Sequence, residues 1–198
     1  MAQLREQQGR VLWIVLGVNT IMFLVELVAG IIGRSTALLA DSLDMFGDAS
    51  VYGFSLFALD RGSTWRNRAA ILKGGIMAVF GIGVLAEAVM KALIGTIPSG
   101  KTMGVIGVIA LMANLLCLLL LVRHRNDDLN MRSTWLCSRN DSIANLGVLV
   151  AAGLVLAVNS NWPDILIGSA IALLFLTSAI GVLKASLATD SEPNAFLT

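Results

Sequence analysis

The chain has 198 residues, 57% of them hydrophobic and 14% charged, with a formal net charge of +1 and a mean hydropathy of +0.82. That balance excludes an ordinary water-soluble domain, and the near-zero charge leaves no electrostatic footprint for nucleic acid. The solvent it implies is a lipid bilayer.

A membrane span needs roughly 20 mainly apolar residues, and six stretches meet that length, at about 11–33, 36–59, 69–94, 103–123, 134–157 and 164–184. Turn or polar residues interrupt them at Gly33-Arg34-Ser35, Asp60 to Ser63, Pro98-Ser99-Gly100, His124 to Asn130 and Asn159 to Pro163. The expected fold is therefore all-α and polytopic, with six transmembrane helices. It divides into a polar N-terminal segment, residues 1–10, a transmembrane domain, residues 11–184, and a tail, residues 185–198, too short for a core of its own. Arg5, Arg10, Arg61, Arg66, Arg68, Lys73, Arg123, Arg125, Arg132 and Lys184 gather on one side, and only Arg34, Lys91 and Lys101 on the other. Because cytoplasmic loops retain Lys and Arg, both termini are expected in the cytoplasm.

The first stretch is too long for a signal-peptide core and has no small-residue cleavage site, so it is read as a retained helix. It carries Asn19 and Glu26, two turns apart on one face, either lining a pathway or bonding a neighbouring helix. The second carries Asp41, Asp44 and Asp48, whose spacings place all three along one face. A charge inside a bilayer costs at least ~2.5–3.5 kcal/mol, so such acids persist mainly beside a water-filled path or a bound cation. Their mutual repulsion would be relieved by protons or by a shared divalent metal. Asp41, near the start of its span, could equally be a helix cap.

The third stretch contains Gly74, Gly75, Gly81 and Gly83, expected to allow close helix packing, as are Gly168 and Gly181 on the sixth. Glu87 and Lys91 on the third form an i, i+4 pair, most simply a local ion pair. Cys117 on the fourth reads as packing, and the lone histidine, His124, as a loop residue. The fifth places Cys137, Asp141 and Asn145 at successive turns of one face, with Arg139 on another face, free to snorkel or to pair with an acid. Asp164 follows Pro163 at the start of the sixth, where an anion suits a helix N-terminus.

Two carboxylates from one helix, with a carboxylate and a thiolate from another, make a four-ligand set of the kind Zn²⁺ accepts. Asp44, Asp48, Cys137 and Asp141 are the candidate metal ligands, and Asp41, Asn145, Asn19 and Glu26 additional pathway residues. A thiolate would tilt preference toward Zn²⁺ or Cd²⁺ and away from Mg²⁺ or Ca²⁺. The cysteines show no CxxC spacing, and neither a disulfide scaffold nor a zinc knuckle is expected.

At these residues the chain resembles the cation diffusion facilitator family of metal transporters. The segment from Ser35 to Asp48, STALLADSLDMFGD, is similar to that family's second-helix signature, and Asp44 and Asp48 fall on its two metal-binding positions. The segment around Cys137 and Asp141 is similar to the fifth-helix HxxxD pattern, with Cys137 where many members have His. The likeness extends to Asn19, Glu26 and Asp164, and so across the whole membrane domain. It implies a bacterial inner-membrane protein that exports Zn²⁺, Cd²⁺ or Co²⁺ from the cytoplasm in exchange for protons. The family's histidine-rich loop and cytoplasmic ferredoxin-like domain have no counterpart in these residues, which removes the usual basis for a homodimer. Small-residue helix faces still permit one.

No enzyme activity and no cofactor beyond the transported cation are expected. An intramembrane headgroup transferase would need a DGxxAR-type segment, and Asp44-Met-Phe-Gly-Asp48-Ala lacks both the Asp-Gly step and the Arg. The main alternative is a non-transporting metal-binding or accessory membrane protein derived from the transporter fold.

Overall fold

In the computed structural model the backbone is described for residues 2–57, 63–125 and 129–191, with side chains at residues 9–50, 53, 70–72, 74–125, 132, 134–184 and 186. Arg5, Arg61, Arg66, Arg68 and Lys73, which enter the charge asymmetry, lie outside the described side chains, and residues 192–198 of the tail outside the described backbone.

Among the described residues six helices follow one another: α1 (Ala2–Gly33), α2 (Thr36–Phe57), α3 (Ser63–Ile94), α4 (Gly100–Val122), α5 (Leu129–Val158) and α6 (Trp162–Ser191). Several are longer than the apolar stretches that announced them. α1 takes in most of the polar first ten residues, and α6 runs past Lys184 to Ser191. The reason is that hydropathy marks the length immersed in lipid, whereas helical hydrogen bonding continues into the polar interface until a cap or a breaker stops it.

Local chemistry sets the ends that matter. α1 stops at Gly33: Arg34 takes φ 50°, and Ser35 N–H donates back to the Gly30 carbonyl at 2.9 Å. Ser35 then caps α2, its hydroxyl accepting from Leu38 N–H at 3.1 Å. α3 closes at Gly95, whose φ of +76° suits a residue without Cβ and whose N–H reaches the Lys91 carbonyl at 2.9 Å. Ser99 caps α4, and its own N–H donates to the Gly33 carbonyl at 2.9 Å, tying this loop to the end of α1.

The helices pair as α1 with α2, α4 with α5, and α3 with α6. The first two pairs meet through α1–α4 and α2–α5 contacts to form a four-helix bundle, against which α3 and α6 lie, touching α2 and α5. The largest buried cluster joins Leu38 and Leu43 of α2, Met77 of α3, Val148 of α5 and Phe175 of α6. Inside the bundle Met22, Met45 and Ala110 form one apolar layer, and Val15, Cys117 and Leu121 another. Cys117 thus packs as a small hydrophobe, as expected.

Outward faces are as apolar as the core. Ile32, Phe80, Leu93, Val105, Leu119, Leu146, Leu166 and Leu174 are all exposed, a distribution that suits lipid rather than water. α1, α3, α4, α5 and α6 each carry a segment long and apolar enough to cross a membrane. α2 has the length but concentrates Asp41, Asp44 and Asp48 within its middle. The chain is a polytopic integral membrane protein of six helices.

The glycines divide. A Cβ on Gly74 would lie 2.8 Å from Leu183, on Gly81 2.8 Å from Leu176, and on Gly168 2.6 Å from the backbone of Thr36, so these three hold helices close. Gly75, Gly83 and Gly181 have nothing within 4 Å. No neighbouring helix closes on them, and the packing expectation fails for them.

Candidate metal site

The site begins with register. α2 and α5 lie side by side, and the faces they turn toward α3 and α6 carry Asp44, Asp48, Cys137 and Asp141. These four line a single cavity of about 670 Å³, together with Asn140 and Ala144 of α5 and, opposite, Met77 of α3 and Phe175 of α6. Its walls combine a few convergent polar groups with an apolar surround, the ordinary composition of a binding site. Gly47 sits between the two acids of α2, where a Cβ would press to 3.0 Å against the Phe175 ring, so α6 approaches the acid-bearing face closely.

Asp48 is 8% exposed and Asp141 2%, while Asp44 and Cys137 are half-buried at the cavity wall. Asp44 and Asp48 of α2 lie within electrostatic range of Cys137 and Asp141 of α5. Among the described residues, however, no three His, Cys, Asp or Glu side chains converge tightly enough to hold a metal ion. The four candidates share a cavity without sharing a coordination point.

The additional pathway residues sit elsewhere. Asn19, Glu26, Asp41 and Asn145 are at most 2% exposed and none of them lines the cavity. They belong to the interior of the α1–α2–α4–α5 bundle. Asp41 is not a cap: Ser35 fills that position, and Asp41 lies within α2 with neither carboxylate oxygen hydrogen-bonded. Its place near the start of an apolar stretch suggested a terminus that lies several residues earlier. Asn145 donates through Nδ2 to the Asp141 carbonyl at 2.9 Å, which leaves its Oδ1 without a partner.

Asp164 departs from expectation more usefully. It lies in the first turn of α6, but its carboxylate serves α2. It accepts from the Ser35 hydroxyl at 2.6 Å, Thr36 N–H at 2.9 Å and Ala37 N–H at 3.1 Å, and from Lys91 Nζ at 2.7 Å. Lys91 also donates to the Arg34 carbonyl, whereas Glu87 lies 3.9 Å from it and instead accepts from the Thr36 hydroxyl at 2.6 Å. The expected local pair of α3 is thus secondary to a buried Lys91–Asp164 bridge joining α3 and α6 to the N-terminus of α2. Spacing within one helix could not reveal a partner 73 residues away. Gly168, against the Thr36 backbone, lets α6 come near enough.

Other polar residues play smaller parts. Arg139 is exposed and stacks on Trp135 at 5.6 Å, with Arg125 on the same ring at 5.3 Å. His124 is half-buried in the turn after α4. Two residues escaped the sequence reading. Asn140 lines the cavity, and Asn114 is fully buried with its whole amide unpartnered. A lone Asn within the run Met112-Ala-Asn-Leu-Leu-Cys-Leu was the available signal.

The arrangement is an integral membrane helix bundle with acids and a thiol gathered from two helices onto one cavity. Residues 12–189 match the cation efflux transmembrane domain, and the chain belongs to that family. It is similar to the zinc transporter ZitB of Escherichia coli K12, with 29% identity over 195 residues covering 91% of this chain. It is also similar to the cadmium, cobalt and zinc/H(+)-K(+) antiporter of Bacillus subtilis, 25% identical over 180 residues and 83% of this chain. ZitB of Yersinia pestis is 24% identical over 195 residues. The chain spans 62% of the length of the Escherichia coli relative and 57% of the Bacillus one. Metal cation transport is thus the activity of the family to which this membrane domain belongs.

Proposed function

We propose that this chain moves a divalent transition-metal cation of the Zn²⁺, Cd²⁺ or Co²⁺ type out of the cytoplasm of a bacterium, in exchange for protons, with Asp44, Asp48, Cys137 and Asp141 as the ligands. The observation that carries this reading is that α2 and α5 bring four potential ligands, far apart in sequence, onto one cavity of about 670 Å³. The ions named for the similar proteins, zinc, cadmium and cobalt, are those a carboxylate-and-thiolate set prefers.

Asp44 and Asp48 of α2 and Cys137 and Asp141 of α5 line the same cavity wall, from which a divalent cation would draw its ligands. Carboxylates and a thiol must be deprotonated to bind metal, so binding releases protons and protons displace the ion. Alternation of the cavity between the two membrane faces would then exchange one for the other. The excess of basic residues flanking the helices on one side places both termini in the cytoplasm on this reading.

Metal uptake into inside-out vesicles under an imposed proton gradient tests the proposal. The parent should accumulate Zn²⁺, Cd²⁺ or Co²⁺ above empty vesicles, and Asp48→Ala should abolish the proton-linked part. A parent that binds these ions but never accumulates them would instead be a non-transporting metal-binding protein.

A further inference from the structure

The ends of α1 and α3 flank the start of α2, and both helices pack on α2. Between them lies a second cleft of about 340 Å³, separate from the cavity of Asp44 and Cys137. That volume falls within the roughly 300–1,000 Å³ of small-ligand sites. Ile31, Met90 and Ile94 line it and are all exposed, while Arg34, Glu87 and Lys91 supply its charges.

The three charged groups are not equivalent. Lys91 is buried and already neutralised by Asp164 at 2.7 Å. Glu87 is half-buried, and its Oε2 accepts from the Thr36 hydroxyl at 2.6 Å. Its Oε1 stands 3.9 Å from Lys91 Nζ, beyond hydrogen-bonding distance, and so keeps an open acceptor toward the cleft. Arg34 is exposed in the turn after α1, and among the described residues no carboxylate pairs with its guanidinium. Its φ of 50° is a conformation that glycine or asparagine adopts more easily, so the turn does not account for an arginine there. What remains is one open anion, one open cation and an apolar rim that continues onto the exposed Ile32 and Leu93.

A zwitterionic phospholipid carries the complementary pattern. Its phosphate suits the forked donors of an arginine, and a primary ammonium supplies N–H donors to a carboxylate oxygen. A choline headgroup matches the charge but has no N–H to donate, and phosphatidylglycerol brings no cation for Glu87. We propose that this cleft binds one phosphatidylethanolamine, its phosphate on Arg34, its ammonium on Glu87 Oε1 and its acyl chains along Ile31 and Ile94. The lipid thereby links the end of α1 to the end of α3 beside the Lys91–Asp164 bridge.

Native mass spectrometry of the purified full chain tests this, with phosphatidylethanolamine, phosphatidylcholine and phosphatidylglycerol of identical acyl chains as the probes. The parent should hold one phosphatidylethanolamine about tenfold more tightly than phosphatidylcholine, the worth of roughly one charge-assisted hydrogen bond. Singly and doubly N-methylated phosphatidylethanolamine should fall between them, in the order of N–H groups lost. Glu87→Gln keeps an oxygen for the Thr36 hydroxyl and should bring phosphatidylethanolamine down to the level of phosphatidylcholine, whereas Arg34→Gln should weaken both. The proposal is overturned if the parent holds these two lipids equally, if phosphatidylglycerol displaces phosphatidylethanolamine, or if Glu87→Gln retains the full preference. Where Glu87→Gln does not elute as folded protein, the N-methylated series on the parent decides alone. No metal enters these measurements, so their outcome is independent of the transport reading.

Discussion

The N-terminus of α2 and its middle treat buried charge in opposite ways. At its N-terminus Asp164 is fully buried and receives four donors, two backbone N–H groups, the Ser35 hydroxyl and the Lys91 ammonium. One to three turns further along the same helix come Asp41, Asp44 and Asp48, and Asp41 is fully buried with neither carboxylate oxygen hydrogen-bonded. Both regions bear the cost of removing a charge from water. Asp164 offsets it with partners built into the fold, whereas Asp41 has none among the described residues. A satisfied network fixes a helix in place.

Substitution separates the two roles. The largest effect on transport is expected from Asp44→Ala and Asp48→Ala, which should abolish metal accumulation in vesicles while leaving the detergent-solubilised protein as stable to heat as the parent. The largest effect on stability belongs to the other end. Asp164→Ala leaves Lys91 buried without its partner and strips the α2 terminus of its acceptor, so a loss of about 3–5 kcal/mol is expected. Thermal unfolding in detergent would measure it, and a parent-like midpoint would show that the network is not structural. Gly168→Ala drives a Cβ into the Thr36 backbone, and it should destabilise by about 1–3 kcal/mol in the same assay.

Smaller effects concern selectivity and pH. Cys137→Ser exchanges a soft donor for a hard one, so competition between Cd²⁺ and Co²⁺ uptake should move against Cd²⁺ by about tenfold. An unchanged ratio would place the thiol outside the coordination sphere. Because the carboxylates bind metal only when deprotonated, lowering pH should weaken metal binding and raising it should strengthen it. Isothermal titration across a pH series reads this directly, and the dependence should become shallower in Asp141→Asn.

The fold was legible because bilayer length is a strict constraint: apolar stretches of the required length announce helices whatever their partners. That the acids of α2 and the thiol and acid of α5 belong together was legible for a similar reason, since acids at one-turn spacings in lipid have few structural excuses, and Asp44, Asp48, Cys137 and Asp141 do line one cavity. Pairings between distant helices were not legible. Asp164 and Lys91 each have a plausible local role, and nothing in the spacing of either helix indicates that they meet at the start of α2. Nor could hydropathy separate the cavity acids from Glu26 and Asp41, because both sets are equally costly in lipid and differ only in which neighbouring helices they face.

The most direct test of the transport reading is Cd²⁺ entry into proteoliposomes containing the purified chain, recorded with an internal metal-sensitive dye alongside internal pH. The parent should carry Cd²⁺ inward as protons move outward, and Asp48→Ala should do neither. Cd²⁺ entry without proton movement would contradict the exchange, and equal Cd²⁺ entry in Asp48→Ala would contradict the assignment of the site on α2 and α5.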